Sequence, residues 1–184
     1  MWCIGLLALN GVFHALLFAA ALLPDQTVLL SYGLEADAFA TGVEMLLMLI
    51  TGIVFIVWFH RAFKTAMEMA PQSGLTMSKA SAVWCWFVPI GNYWLPYQRA
   101  SAMWRWTGGG SSWPIVVWWI LWVVGRFTGG VVGRLPADMM SPEMFRSGWM
   151  LATGVSMLSA FAAAYYVRAM DGRLRRACEG VIGF

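Results

Sequence analysis

The stretch Trp84–Tyr97 reads WCWFVPIGNYWLPY. Three Trp, one Phe and two Tyr share it with Pro89, Pro96, Gly91 and Asn92. Pro89 removes a helical hydrogen bond and pushes Val88 away from αR geometry. Gly91 and Asn92 loosen the chain further, and Pro96 closes the run. From Ala80 to Leu95 only sixteen residues are apolar enough for lipid, short of the ~20 that a spanning helix needs. Broken backbone at membrane depth must be covered by protein or water. The stretch therefore predicts a re-entrant or interfacial pair of short helices over about residues 80–106 rather than a straight span. This decides between four spans and five.

Outward from that segment the chain is apolar. Of 184 residues, 60% are hydrophobic and 11% charged, against about 25% charged in a soluble domain. Too few charges remain to cover a water-facing surface, and the twelve Trp suit belts of rings at headgroup depth. Four apolar runs stand out, at about Ile4–Leu23, Phe39–Phe59, Trp113–Val132 and Gly148–Val167. At ~1.5 Å per residue each crosses a ~30 Å hydrocarbon core as a helix. The expected fold is all-α: one membrane domain over residues 1–184 with four transmembrane helices. A cleaved signal peptide would suit Ala19-Ala20-Ala21, but no Lys or Arg precedes Arg61, so the basic n-region is missing and a retained first helix is expected.

Charge asymmetry orients the chain. The stretch Pro24–Ala38 carries Asp25, Glu35 and Asp37 and no basic residue. Residues 60–112 carry Arg61, Lys64, Lys79, Arg99 and Arg105, and the tail carries Arg168, Arg173, Arg175 and Arg176. Only Arg126, Arg134 and Arg146 fall on the other side, so nine of twelve basic residues share the side of both termini, which is cytoplasmic by the positive-inside rule. No basic run with interleaved polar residues points to nucleic acid. Cys3, Cys85 and Cys178 lack metal-ligand spacing and read as small apolar side chains.

Small residues recur at every fourth position: Gly148, Ala152, Ser156, Ala160 and Ala164; Gly11, Ala15 and Ala19; Gly125, Gly129 and Gly133. Such stripes let helices approach closely in lipid, either within this bundle or against another membrane protein or a second copy. Ser111-Ser112 and Pro114 predict a firm start for the third helix. Gly129, Gly130 and Gly133 weaken its end, which Arg134, Pro136 and Asp138 close. Gly108-Gly109-Gly110 reads as a flexible linker, since no Lys-Ser/Thr follows to make a phosphate loop.

The broken segment is flanked by Trp58, His60, Arg61 and Lys64 before it and by Gln98, Arg99, Met103, Trp104, Arg105 and Trp106 after it. Arg and Trp at helical spacing suit a helix in the headgroup plane. Candidate binding or interfacial residues are Arg61, Trp84, Trp86, Pro89, Asn92, Trp94, Pro96, Tyr97, Arg99 and Trp104; they either anchor the chain among membrane lipids or form a cytoplasm-facing pocket or lipid headgroup site whose polar groups are Asn92 and Arg99. The spacing of Phe55, Trp58 and Arg61, then Trp84, Trp86-Phe87-Val88-Pro89-Ile90, Asn92, Trp94, Pro96-Tyr97-Gln98 and Trp104, resembles the domain-of-unknown-function family numbered 4328, a family of bacterial multi-pass membrane proteins. The likeness covers about Gly42–Arg168, with its specific part in Trp58–Trp104. Phe63-Lys64 stands where the family commonly has an Asn shortly after the Arg. The resemblance implies a bacterial cytoplasmic-membrane location and brings no activity.

No Ser-His-Asp arrangement or HExxH motif is present, and at the interface only Glu68, Arg99 and Arg105 offer acid–base groups. No catalytic residue and no metal site is expected. His14, mid-way along the first helix, is the one residue that suits haem or chlorin ligation, although His60 falls at a different depth. Glu44 and Arg126 reach a similar depth in the outer leaflet and predict a buried ion pair between helices two and three. The leading functional expectation is a non-enzymatic accessory or interaction subunit packing through small-residue faces. The alternatives are a small-solute or proton channel or transporter and a haem- or pigment-binding protein.

Overall fold

The computed structural model describes residues 2–22, 33–69, 78–132 and 141–182. The described residues form six α-helices and no strand: α1 (Trp2–Leu22), α2 (Gly33–Glu68), α3 (Ser81–Trp84), α4 (Leu95–Trp106), α5 (Trp113–Val132) and α6 (Pro142–Ile182). A 3₁₀ turn, Gly91–Tyr93, joins α3 to α4. Four of these helices, α1, α2, α5 and α6, are long and apolar enough to cross a membrane.

The first and third long helices fall where the apolar runs place them. The second and fourth run further, α2 to Glu68 and α6 over 41 residues, Pro142–Ile182, beyond the expected ends at Phe59 and Val167. Hydropathy falls where Arg61 and Arg168 begin, but neither Gly-Pro punctuation nor a cap interrupts the helix there. Residues such as Ala62, Met67, Arg168 and Leu174 are good helix formers that carry the backbone on past the apolar run. α5 begins at Trp113, with Ile115 and Val116 both donating to the Ser112 carbonyl and Pro114 in the first turn. Gly129 and Gly130 remain helical. Gly133, Arg134, Pro136 and Asp138, like residues 23–32 and 70–77, lie outside the described residues.

α6 is the spine. It packs along α1 on one side and α5 on the other, and touches α2 more lightly. The small-residue notches serve these seams. A Cβ on Gly11 would lie 3.0 Å from the Phe161 ring, one on Gly154 3.4 Å from Phe18, and one on Gly125 3.5 Å from Val155. Close approach of this kind replaces the missing hydrophobic drive in lipid. At the far end of the α1–α6 seam, Arg146 Nε donates to the Ala21 carbonyl at 2.9 Å, a cation on the last carbonyls of α1.

α2 and α5 make no comparable backbone contact with each other. α3 and α4 lie between them, α3 against α2 and α4 against both. Residues 81–106 thus form a wedge at the end of the molecule where α2 and α6 carry their basic extensions. Around the wedge the core is dense: Phe59, Phe63, Met103, Ile115, Tyr166 and Met170 are fully buried.

Glu44 and Arg126 are not paired with each other. The expected ion pair does not form: among the described residues the ion pair is Lys79–Glu68, at 3.9 Å and exposed on both sides. α3 and α4 lie between the two helices that carry the charges.

The candidate site at the wedge and the α2–α6 groove

The wedge is built from local hydrogen bonds. Ser81 Oγ donates to the Ser78 carbonyl at 2.6 Å and accepts from Arg99 Nε at 3.1 Å, so one hydroxyl ties α3 to α4. After α3 the chain turns at Pro89, and the Asn92 amide donates to the Val88 carbonyl at 2.7 Å. Pro96 then starts α4 within its first two positions, where a missing N–H costs nothing. The helix ends in a Schellman turn: the Gly108 amide donates to Arg105 and the Gly109 amide to Trp104. Gly108 has φ +71°, and a Cβ on Gly109 would strike the Trp104 backbone and ring. The triple glycine is therefore a tight helix stop, not the flexible linker that its composition suggests.

The aromatic residues divide into two groups. Trp86 inserts between the long helices. Its ring is 5.6 Å from both Phe55 and Phe59, 6.4 Å from Trp119 and 6.1 Å from Trp122. Trp104 is buried, donates Nε1–H to the Ser111 carbonyl at 3.1 Å and lies under the Arg173 guanidinium at 4.0 Å. Tyr97 is half-buried beside Trp119. Trp84 and Trp94 instead face outward, together with Phe87, Val88, Pro89 and Ile90 at the tip. Tyr93 contacts Trp122 and Phe127, which lie about 14 Å and about 21 Å along α5 from Trp113 at ~1.5 Å per residue.

Tyr166 joins the four helices that meet here. It stacks on Trp118 with centroids 5.1 Å apart and planes at 6°, meets Trp58 edge-on at 5.8 Å and lies 6.3 Å from Trp104. Sequence reading missed it, since a Tyr at the end of an apolar run carries no motif.

Arg61 lies outside the wedge, in a groove of 390 Å³ between the extensions of α2 and α6. Trp58, Arg61 and Thr65 line one wall; Asp171, Arg175 and Glu179 line the other. Trp58 Nε1 donates to Asp171 Oδ1 at 2.9 Å and closes the inner end. The walls follow from i, i+3, i+4, i+7 spacing on each helix, 58-61-62-65 and 171-174-175-178. Asp171 was overlooked because its surroundings read as a basic tail. A second depression of 330 Å³, beside Tyr97, Gln98, Ser101 and Arg105, lies at the base of the wedge, so Arg99 and Asn92 share neither hollow.

Several buried polar atoms have no hydrogen-bond partner: Trp86 Nε1, Asn92 Oδ1, Ser101 Oγ, the Tyr166 hydroxyl and His14 Nδ1. His14 is buried on α1 with its ring edge toward Phe13, and no group of three metal-ligating side chains occurs among the described residues. The Cys85 thiol is buried and donates to the Ala82 carbonyl. Burial pushes its pKa up to about 11, against a smaller downward pull from Arg99.

Residues 25–172 match the family described as Domain of unknown function (DUF4328), a wider match than Gly42–Arg168. Comparison with curated proteins and with solved structures gives no match.

Proposed function

The chain belongs to the DUF4328 family, and on that premise we propose that it is a four-span protein of the bacterial cytoplasmic membrane that works without catalysis, as an interaction protein holding lipid headgroups at its cytoplasmic face. Both termini are cytoplasmic, and residues 80–106 re-enter the bilayer from that side. The tip supports re-entry, because its exposed side chains are apolar and its ring contacts climb α5 to about two-thirds of a ~30 Å core. The clustering of nine of twelve basic residues at the wedge end supports the orientation.

The observation that carries the functional reading is the α2–α6 groove. The stacked pair Trp113–Tyr165 suits the aromatic belt, and Asp171 follows Tyr165 by six residues, about 9 Å further along α6. That is headgroup depth. Arg61 and Arg175 offer guanidinium forks for a phosphate, while Glu179 and the second oxygen of Asp171 accept an ammonium. Opposed charges in one groove fit a zwitterionic aminophospholipid better than a purely anionic one.

Native mass spectrometry of the chain from vesicles of mixed aminophospholipid and anionic phospholipid tests this. Aminophospholipid should be retained preferentially, and Arg61→Ala with Arg175→Ala should lower retention at least about fivefold, the scale of a lost charged hydrogen bond. Equal retention of both lipids, or retention unchanged by the double variant, would overturn the reading. Competition by water-soluble glycerophosphoethanolamine distinguishes a soluble ligand from a bilayer one.

A second reading, a solute or proton pathway, draws on the unpartnered Asn92 Oδ1 and Trp86 Nε1 of the broken element. Flux into proteoliposomes that Asn92→Ala abolishes would favour it over lipid holding.

A further inference from the structure

Glu44 and Arg126 both lie within segments apolar enough to span a membrane. Measured from the Phe55–Trp118 ring contact, Glu44 is eleven residues and Arg126 eight residues toward the opposite end from the wedge base. At ~1.5 Å per residue these are rises of about 16 Å and about 12 Å, so the two charges differ by about one helical turn in depth. Their azimuths also agree. Arg126 follows Trp119 and Trp122 at i+7 and i+4, on the stripe of α5 that meets Trp86. Glu44 precedes Phe55 by three helical turns, on the stripe of α2 that meets the same ring. Both charges therefore lie on the faces of α2 and α5 that flank the wedge, with Arg126 level with its tip, where Tyr93 meets Phe127.

Neither charge is paired among the described residues. Glu44 is half-buried, Arg126 is exposed, and the ion pair among the described residues lies elsewhere. The same part of α2 is bare: Met45, Leu46, Met48, Leu49 and Ile53 are exposed. Lipid covers apolar side chains at no cost, but it does not satisfy a carboxylate and a guanidinium at that depth.

We propose that a second copy of this chain covers the outer halves of α2 and α5, with Glu44 of each copy paired to Arg126 of the other. The proposal rests on the bilayer reading above. A two-fold axis along the membrane normal makes the surface complementary to itself, because each copy presents one acid and one base at matched depth and each pairing occurs twice. Within one chain the same pair is not closed among the described residues.

The test uses full-length chains carrying two different tags, co-expressed and captured through one tag. Wild type should co-capture itself. Glu44→Arg alone and Arg126→Glu alone should each lower co-capture at least about tenfold, since each sets like charges face to face. Co-expression of the Glu44→Arg chain with the Arg126→Glu chain should restore it, because the mixed pair has two attractive contacts and each self-pair has none. A wild type that is monomeric in vesicles, singles that still self-associate, or mixed pairs no more frequent than self-pairs would each overturn the proposal. If the reversals do not fold, Glu44→Gln and Arg126→Gln replace them, and undiminished self-association of both then counts against it. Resistance to carbonate extraction is read in parallel. A chain released by carbonate refutes the bilayer reading, whereas an embedded monomer refutes only the pairing.

Discussion

The two ends of this molecule are packed in opposite ways. At the wedge end, α2, α4, α5 and α6 meet around Tyr166 through rings at 5–6 Å, and large side chains such as Phe59, Phe63 and Met103 have no exposure. At the other end α2 is bare, with Met45 67% and Leu46 59% exposed, while the α1–α6 seam remains notched and close. The difference is the insertion of residues 81–106. Where the wedge reaches, it supplies rings that join α2 to α5; where it stops, nothing among the described residues replaces it. Rings that composition assigns to a lipid belt are thus split, with Trp86, Trp104 and Trp118 serving as core and Trp2, Trp84, Trp94 and Trp113 left outside.

Substitutions at the two ends should separate accordingly. The largest effect is expected at Tyr166→Ala, which empties the point where four helices meet and should cost about 3–5 kcal/mol in a denaturant titration in micelles. Tyr166→Phe should stay within about 1 kcal/mol of wild type, because the hydroxyl it removes is buried without a partner. A large loss in the Phe variant would mean that the hydroxyl is engaged and the core wetter than the packing implies. Gly109→Ala comes next, at about 1–3 kcal/mol, since a Cβ there meets Trp104. Its signature is local: Cys85, whose thiol burial holds near pKa 11 and therefore almost wholly protonated at pH 8, should become alkylated faster as the wedge loosens, with Cys178 unchanged. Unaltered Cys85 protection would break the link between the Schellman turn and the wedge. The smallest effect belongs to Leu46→Ala at the bare end, within about 0.5 kcal/mol for the isolated chain. A loss as large as that at Tyr166 would abolish the contrast.

Much of this plan is legible from residue order alone. The four apolar helices, the start of α5 at Trp113 and the exclusion of a fifth span follow from hydropathy, Pro114 and Pro89. What hydropathy cannot see is where a helix ends once it leaves an apolar solvent, hence the longer α2 and α6. Depth is legible from residue counting, but the wedge between α2 and α5 is not, so Glu44 and Arg126 were matched in height while their separation went unread. The site was partly legible. Arg61, Trp86 and Trp104 stand out by type and spacing, whereas Asp171, Arg173 and Tyr166 acquire a role only when α6 folds back beside α2 and α4. Glycine runs carry the same ambiguity, because a positive φ at Gly108 is a property of the turn rather than of its composition.

α6 runs unbroken for 41 residues, about 60 Å at ~1.5 Å per residue. A rod of that length is a lever. Pivoted where it is notched against α1 near Gly11, it would convert a tilt of about 5° into a displacement of about 3 Å at its basic end, given roughly 30 Å of helix beyond the pivot. Asp171, Arg173 and Arg175, about 15–21 Å beyond the pivot, would move by about 1–2 Å. A small tilt at the Gly11 notch would therefore carry Asp171 and Arg173, and with them their contacts to Trp58 and Trp104.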